Sequence, residues 1–258
     1  MQKTHFLLIV TFLLLFFNNR AHAQLHISNE VGVLAGPAAF FTDYGERWNV
    51  RSNLENGGFG IGLVHYMHFA YKERCDCYRS EGYFSDHFKI RSEFDYLQSK
   101  LEHVGPVAQK KTEGGRQLRA MHGFTETYEL GMHLEYYPFS VRDFMNFGYW
   151  ISPYISLGVH YVHFAPDAYS ELGAFDEPGV LFHSFQGGLD LSSGNTWAVA
   201  GSMGFRYKLG VRHDLLFDAR WHYYNSDYVD GLNVQGLQNQ FNDMVFWFSI
   251  GYVYYINF

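Results

Sequence analysis

The final fifteen residues, Met244 to Phe258 (MVFWFSIGYVYYINF), constrain the fold more than any other stretch. Successive side chains of an extended chain point to opposite sides. One side here carries Phe246, Phe248, Ile250, Tyr252, Tyr254, Ile256 and Phe258. The other carries Val245, Trp247, Ser249, Gly251, Val253, Tyr255 and Asn257. A long, exposed row of large apolar side chains would aggregate in water. Turned toward lipid, the same row is what the outer face of a closed transmembrane barrel needs, with smaller residues inside. The competing reading is the last strand of a soluble sandwich.

The start of the chain points to the same compartment. Lys3 is followed by an apolar run, Phe6 to Phe17, and then by Ala21-His22-Ala23 before Gln24. This predicts a secretory signal peptide over residues 1–23 and a mature barrel over 24–258. The run falls short of the roughly 20 residues that a membrane-spanning helix requires. No cysteine stands at the cleavage position, so no lipid anchor is indicated.

Alternation recurs along the chain. Segments read as strands are Glu30–Phe41, Gly58–Tyr71, Phe88–Leu101, Phe124–Tyr137, Tyr149–Phe164, Trp197–Leu209, Leu215–Tyr224 and the terminal one. Aromatic residues make up 19% of the sequence, which suits lipid-facing rims. The connections after the first, third, fifth and seventh segments are the long polar ones, and those after the fourth and sixth are short. The expected fold is therefore all-β: a closed, eight-stranded antiparallel transmembrane barrel with periplasmic termini. Net charge of −7 argues against nucleic acid as a partner.

A barrel of eight strands has an interior that side chains fill. The inward positions collect Arg91, Glu93, Asp95, Glu129, Glu135, Arg206, Lys208, Asp218 and Arg220. Both signs are present, so an ion-paired plug is expected, with a gated polar path as the alternative.

No pattern points to a reaction. Gly58-Phe-Gly60-Ile-Gly62 is not a dinucleotide loop, because it lies within a strand and no helix follows. Its glycines make room for bulky neighbours. Cys75 and Cys77, expected to be oxidised outside the cytoplasm, could pair with each other or with a partner. With His87 they fall short of a four-ligand metal site. His65, His68, His133, His160, His163 and His222 lie in or near strands; each can bond a carboxylate or tyrosine, or several can gather a metal. The expectation is no metal and no cofactor. Ser202 and Ser249 lack a nucleophile elbow. Lys110, Lys111, Arg116 and Arg119 make one long loop basic, while Asp167, Glu171, Asp176, Glu177 and Asp190 make another acidic. These loops could meet lipid headgroups and cations, or attract each other.

Several stretches carry a resemblance. Gly32–Arg47 (GVLAGPAAFFTDYGER), Gly58–Tyr66, Leu134–Tyr137, Ser152–Tyr161, Arg206–Leu209 and Ser226–Asn233 (SDYVDGLN) resemble an uncharacterised family of small outer-membrane barrels from Bacteroidetes-type envelopes. The chain is more distantly similar in style to the small barrel that accompanies the type IX secretion translocon. A terminal strand ending in Phe258 also resembles the signal read by outer-membrane assembly machinery. The resemblance implies an outer-membrane location, contact with membrane lipid and with that machinery, and no known activity. The expected role is that of a non-enzymatic structural or accessory subunit of an envelope complex for secretion or outer-membrane assembly, with a protein partner in that complex. The alternatives are a barrel enzyme acting on lipid or peptide at the outer rim, and a narrow solute channel.

Overall fold

The computed structural model describes residues 28–45, 49–68, 82–234 and 241–256. Eight strands follow in order: β1 (Ser28–Phe41), β2 (Gly57–His68), β3 (Phe88–Glu102), β4 (Met121–Tyr136), β5 (Ile151–Ser170), β6 (Gly194–Gly210), β7 (His213–Tyr224) and β8 (Met244–Tyr255). Each pairs antiparallel with its sequence neighbours, and β8 returns to β1, so the barrel is closed. Closure removes the free edge that would make such strands a hazard. The short helices α1 (Val50–Glu55), α2 (Tyr83–His87), α3 (Glu113–Ala120) and α4 (Val141–Met145) all lie in connections.

The β1–β8 seam shows how local sequence meets closure. Its ladder runs from Glu30↔Tyr255 to Ala35↔Ile250 and resumes at Ala38↔Trp247. The gap falls at Gly36 and Pro37, where proline has no amide hydrogen to give. The Gly36 carbonyl instead accepts the indole N–H of Trp247 at 3.2 Å. A side chain at residue 36 would begin 2.1 Å from the Phe248 carbonyl oxygen, so only glycine fits there.

The outer surface is apolar along the middle of every strand. Val33, Ile61, Leu63, Leu130, Leu157, Met203 and Ile250 are each about half exposed or more. Aromatic pairs flank this band on both sides. Tyr96–Tyr128, Tyr161–Trp197 and Trp221–Phe246 sit toward the end with the long connections. Phe88–Tyr136, Phe205–Phe217 and His213–Tyr254 sit toward the end that carries the termini. Such a belt is unfavourable in water and matches hydrocarbon between two interfacial girdles. No described helix is long and apolar enough to cross a membrane, and the strands do so instead. The protein is an outer-membrane β-barrel.

Strand boundaries depart from the sequence expectation at both ends of β5 and at the end of β2, and β4 and β6 each begin three residues early, at Met121 and Gly194. β5 continues past Phe164 to Ser170, paired with β4 as far back as Met121. Pro166 and Asp167 read as loop residues, yet β6 ends its pairing at Phe164, so this part of β5 is an edge where proline is tolerated. Tyr149 and Trp150 precede β5 instead of opening it. The connection before them holds α4, capped by Ser140, and Phe147 at φ 62°, and is longer than the short turn expected. β2 ends at His68, and residues 69–71 lie outside the described residues, as do residues 1–27, Cys75, Cys77 and Phe258. Phe246, Phe248, Ile250, Tyr252 and Tyr254 lie on the outer face of β8, and Ile256, just past its end, is exposed.

Candidate functional site in the barrel interior

Every second residue of each strand points inward, so the interior is assembled from facing rows. Arg91, Glu93, Asp95, Glu129, Glu135, Arg206, Lys208, Asp218 and Arg220 are all fully or almost fully buried there. Three buried ions that sequence reading left out of this set, Glu30, Lys89 and Asp214, join them.

Three tiers follow the register from the end with the termini toward the long connections. In the lowest tier Glu30 accepts from Lys89 at 2.6 Å and from Arg206. Lys208 meets Asp214 at 3.1 Å, and Tyr255 donates its hydroxyl to Asp214. Arg206 lies over the Tyr66 ring, 4.1 Å from its centroid. In the middle tier Arg91 bonds Glu135 at 2.9 Å and lies 3.0 Å from Glu93. Arg220 donates to Glu93, Asp95 and Asp218 at 2.8, 2.8 and 2.9 Å. Tyr154 and Tyr137 donate hydroxyls to Asp218 and Glu135, both at 2.6 Å. The upper tier centres on Glu129, which accepts from Tyr224 at 2.6 Å and Thr127 at 3.0 Å and meets His222 at 2.8 Å and His160 at 3.1 Å.

Paired charges of this kind are tolerated in a dry interior only where hydrogen bonds satisfy them. Ion pairs and tyrosine hydroxyls link these charges within each tier, while Arg91 Nη2, Arg206 Nη2 and Asp95 Oδ1 make no hydrogen bond among the described residues. The indole of Trp247 closes one flank. Its ring lies under Arg220, 5.0 Å from the guanidinium, and against Gly60 and Gly62. A side-chain carbon at residue 60 would fall 2.8 Å from the indole. The alternating glycines of β2 therefore serve to seat this ring.

The six strand histidines do not act as one group. His133, His160 and His222 converge in the interior, and His68 is buried 3.5 Å from Glu30. His65 bonds Asn29, and the half-buried His163 bonds Asn195. Ser202 and Ser249 are buried, and Ser202 bonds Ser156 at 2.8 Å.

The described parts of the four long connections pack together as a lid over one mouth. Asp230 accepts the amides of Asp43 at 2.8 Å and Leu232 at 2.7 Å, and Asp43 in turn accepts that of Val234 at 2.7 Å. Tyr44 stacks on His103, which stacks on Phe185. Asn233 donates to Gly188 at 2.8 Å, and Gln117 to Gly179 at 2.8 Å. The expected attraction between basic and acidic loops does not run through their arginines. Arg116 pairs with Glu113, and Arg119 donates to the carbonyls of Ala108 and Lys110 within its own loop. Burial in the lid pushes the His103 imidazole down to about 3.

Burial also pushes the Asp230 carboxyl up to about 7. The folded lid thus holds a proton that the unfolded chain, with its value near 4, releases. Stability from this group is full at acid pH and is lost as pH rises through about 7. Hydrogen exchange of the amides of residues 229–234, corrected for intrinsic rates, should quicken steadily between about pH 4 and pH 7 and level off above that. Asp230→Asn should flatten that rise. A lid whose exchange ignores pH in the unaltered protein would contradict it.

No protein-family model matches the sequence, and no curated protein matches it. Solved structures of similar shape include a major outer membrane protein from Thermus thermophilus, at 15% identity over 91% of this chain and 100% of that chain, TM-score 0.49. They also include the attachment invasion locus protein Ail of Yersinia pestis, at 12% identity over 89% and 99%, TM-score 0.43. Neisserial surface protein A aligns at 11% identity over 88% and 96%, TM-score 0.41. The barrel assignment rests on the ladder and the lipid-facing belt rather than on these likenesses.

Proposed function

We propose that the protein is a non-conducting, non-enzymatic barrel that serves as a structural or accessory subunit of an envelope complex, with its termini in the periplasm and its lid outside. One observation carries this reading: the interior is occupied by paired charges and the lid is tied shut by its own loops. The surfaces left for work are then the lid, the opposite rim and the lipid-facing belt, which suit contact with a partner. The resemblance of stretches such as Gly32–Arg47 and Ser226–Asn233 to small barrels of Bacteroidetes-type envelopes is the ground for placing that complex in secretion or outer-membrane assembly.

The test is gentle detergent extraction from the native membrane with an affinity tag at the exposed Asp176, followed by mass spectrometry. A stoichiometric envelope partner is the expected result. A clean monomer that cleaves lipid acyl chains or peptide in the same preparation would replace this reading with an enzymatic one.

A further inference from the structure

The barrel interior does not balance its own charge. Among the described residues, Lys89, Arg91, Arg206, Lys208 and Arg220 face Glu30, Glu93, Asp95, Glu129, Glu135, Asp214 and Asp218, so two carboxylates are in excess. The imbalance has a location. Glu93, Asp95, Glu135 and Asp218 each share Arg91 or Arg220. Glu129 meets no arginine or lysine among its ion-pair partners, which are His160 and His222 alone.

We propose that Glu129, His160 and His222 bind one divalent transition-metal cation, of which Zn2+ is the best match, inside the upper tier. Two imidazoles and one carboxylate are a borderline-soft donor set that suits zinc and its neighbours rather than calcium or magnesium. The Glu129 Oε2 oxygen lies 2.8 Å from His222 Nδ1 and 3.1 Å from His160 Nδ1, and all three donor atoms lie within 4.8 Å of one another. Ligand atoms around a tetrahedral zinc stand about 3.3 Å apart at metal–ligand bonds of about 2.0–2.1 Å, and the two oxygen–nitrogen separations here lie within about half an ångström of that spacing.

The surroundings hold Glu129 and His160 in the required state, while His222 Nε2 makes no hydrogen bond among the described residues. The second ring nitrogen of His160, Nε2, lies 3.1 Å from Glu93 and 2.7 Å from His133 Nε2. Donating its N–H there leaves Nδ1 with a lone pair for the metal, the supporting arrangement common at histidine ligands. His133 completes that chain through Nδ1, 3.0 Å from Ser156. The other oxygen of Glu129 is already held by Tyr224 and Thr127, which leaves Oε2 as the donor. The fold also makes room. His160 and His222 stand on β5 and β7, and the β6 residues paired with them are Ala198 and Ala200. These small side chains let the two rings approach to 4.8 Å. Across the other seam, Gly131 would clash with the His160 ring if it carried any side chain.

A second set, Glu93 with His133 and His160, has similar spacing. There the Glu93 oxygen already accepts from Arg220 at 2.8 Å, which places a permanent cation on the same atom. One imidazole lone pair on His160 serves one ion, and the set without an arginine is the better host.

The test refolds the full barrel in detergent with Co2+ or Zn2+ present and removes loose metal on a desalting column. One equivalent of retained metal is expected, with the visible absorption of low-coordinate Co2+. Glu129→Gln and His222→Ala should each reduce retention by at least tenfold, while His133→Ala retains it. Glu129→Gln keeps shape and volume, so it stays informative if His222→Ala fails to fold, as judged by gel mobility without heating. No retained metal in the folded, unaltered protein would overturn the proposal and leave a shared proton on His160 in its place. Loss in His133→Ala with retention in His222→Ala would also overturn it, in favour of the second set.

Discussion

Arg220→Met should destabilise the folded barrel by about 3–5 kcal/mol, the range for stripping one partner from a buried ion network. The reason is its position. Its guanidinium donates to Glu93, Asp95 and Asp218 at once, and all three carboxylates are buried. Methionine replaces the stem but leaves Asp95 without an ion-pair partner among the described residues, Asp218 with Arg91 and the Tyr154 hydroxyl, and Glu93 with Arg91 and two histidines. Urea unfolding in detergent micelles, followed by tryptophan fluorescence, measures the loss. Removing Asp218 together with Arg220 should recover part of it, because one uncompensated charge goes with the lost cation. A cost below about 1 kcal/mol would mean that water reaches the middle tier and that the interior is not a dry plug.

Trp247→Ala should cost a similar amount, about 3–5 kcal/mol, by a different route. The indole is fully buried and fills the space that Gly60 and Gly62 leave open on β2. Its N–H also occupies the Gly36 carbonyl at the point where Pro37 interrupts the closing seam. Alanine empties the cavity and leaves that carbonyl without its donor. Trp247→Phe keeps most of the volume and loses the hydrogen bond, worth about 1 kcal/mol, so its cost should be well under half as large. Equal costs for the two variants would place the energy in the hydrogen bond and not in the packing.

The strands were legible because one face must meet lipid and the other a packed interior, which imposes strict alternation on β3, β4 and β8. Charged residues in mid-strand, such as Glu93 and Arg220, stood out against that pattern. Glu30 did not. It stands at the start of the first expected strand, where no alternation yet assigns it a face, and only the closed register carries it to Lys89 and Arg206 across the barrel. Asp214 was hidden in the same way by the turn next to it. The histidine cluster needs three strands brought together: residues 133, 160 and 222 have no spacing that announces a site. Loop residues were harder again. Asp43 and Asp230 look like solvated turn residues, yet they bury because each accepts a backbone amide of the other's connection. The run from Ala165 to Ser170 has loop composition, and its strand conformation comes from β4 alone.

The measurement that tests the closed barrel most directly is ion conductance of the refolded protein in a planar lipid bilayer. A plug of paired charges beneath a tied lid predicts no stepwise current across the range of voltages the bilayer withstands. Reproducible unitary openings, absent from heat-unfolded controls, would show a continuous water path through the interior and would contradict the account.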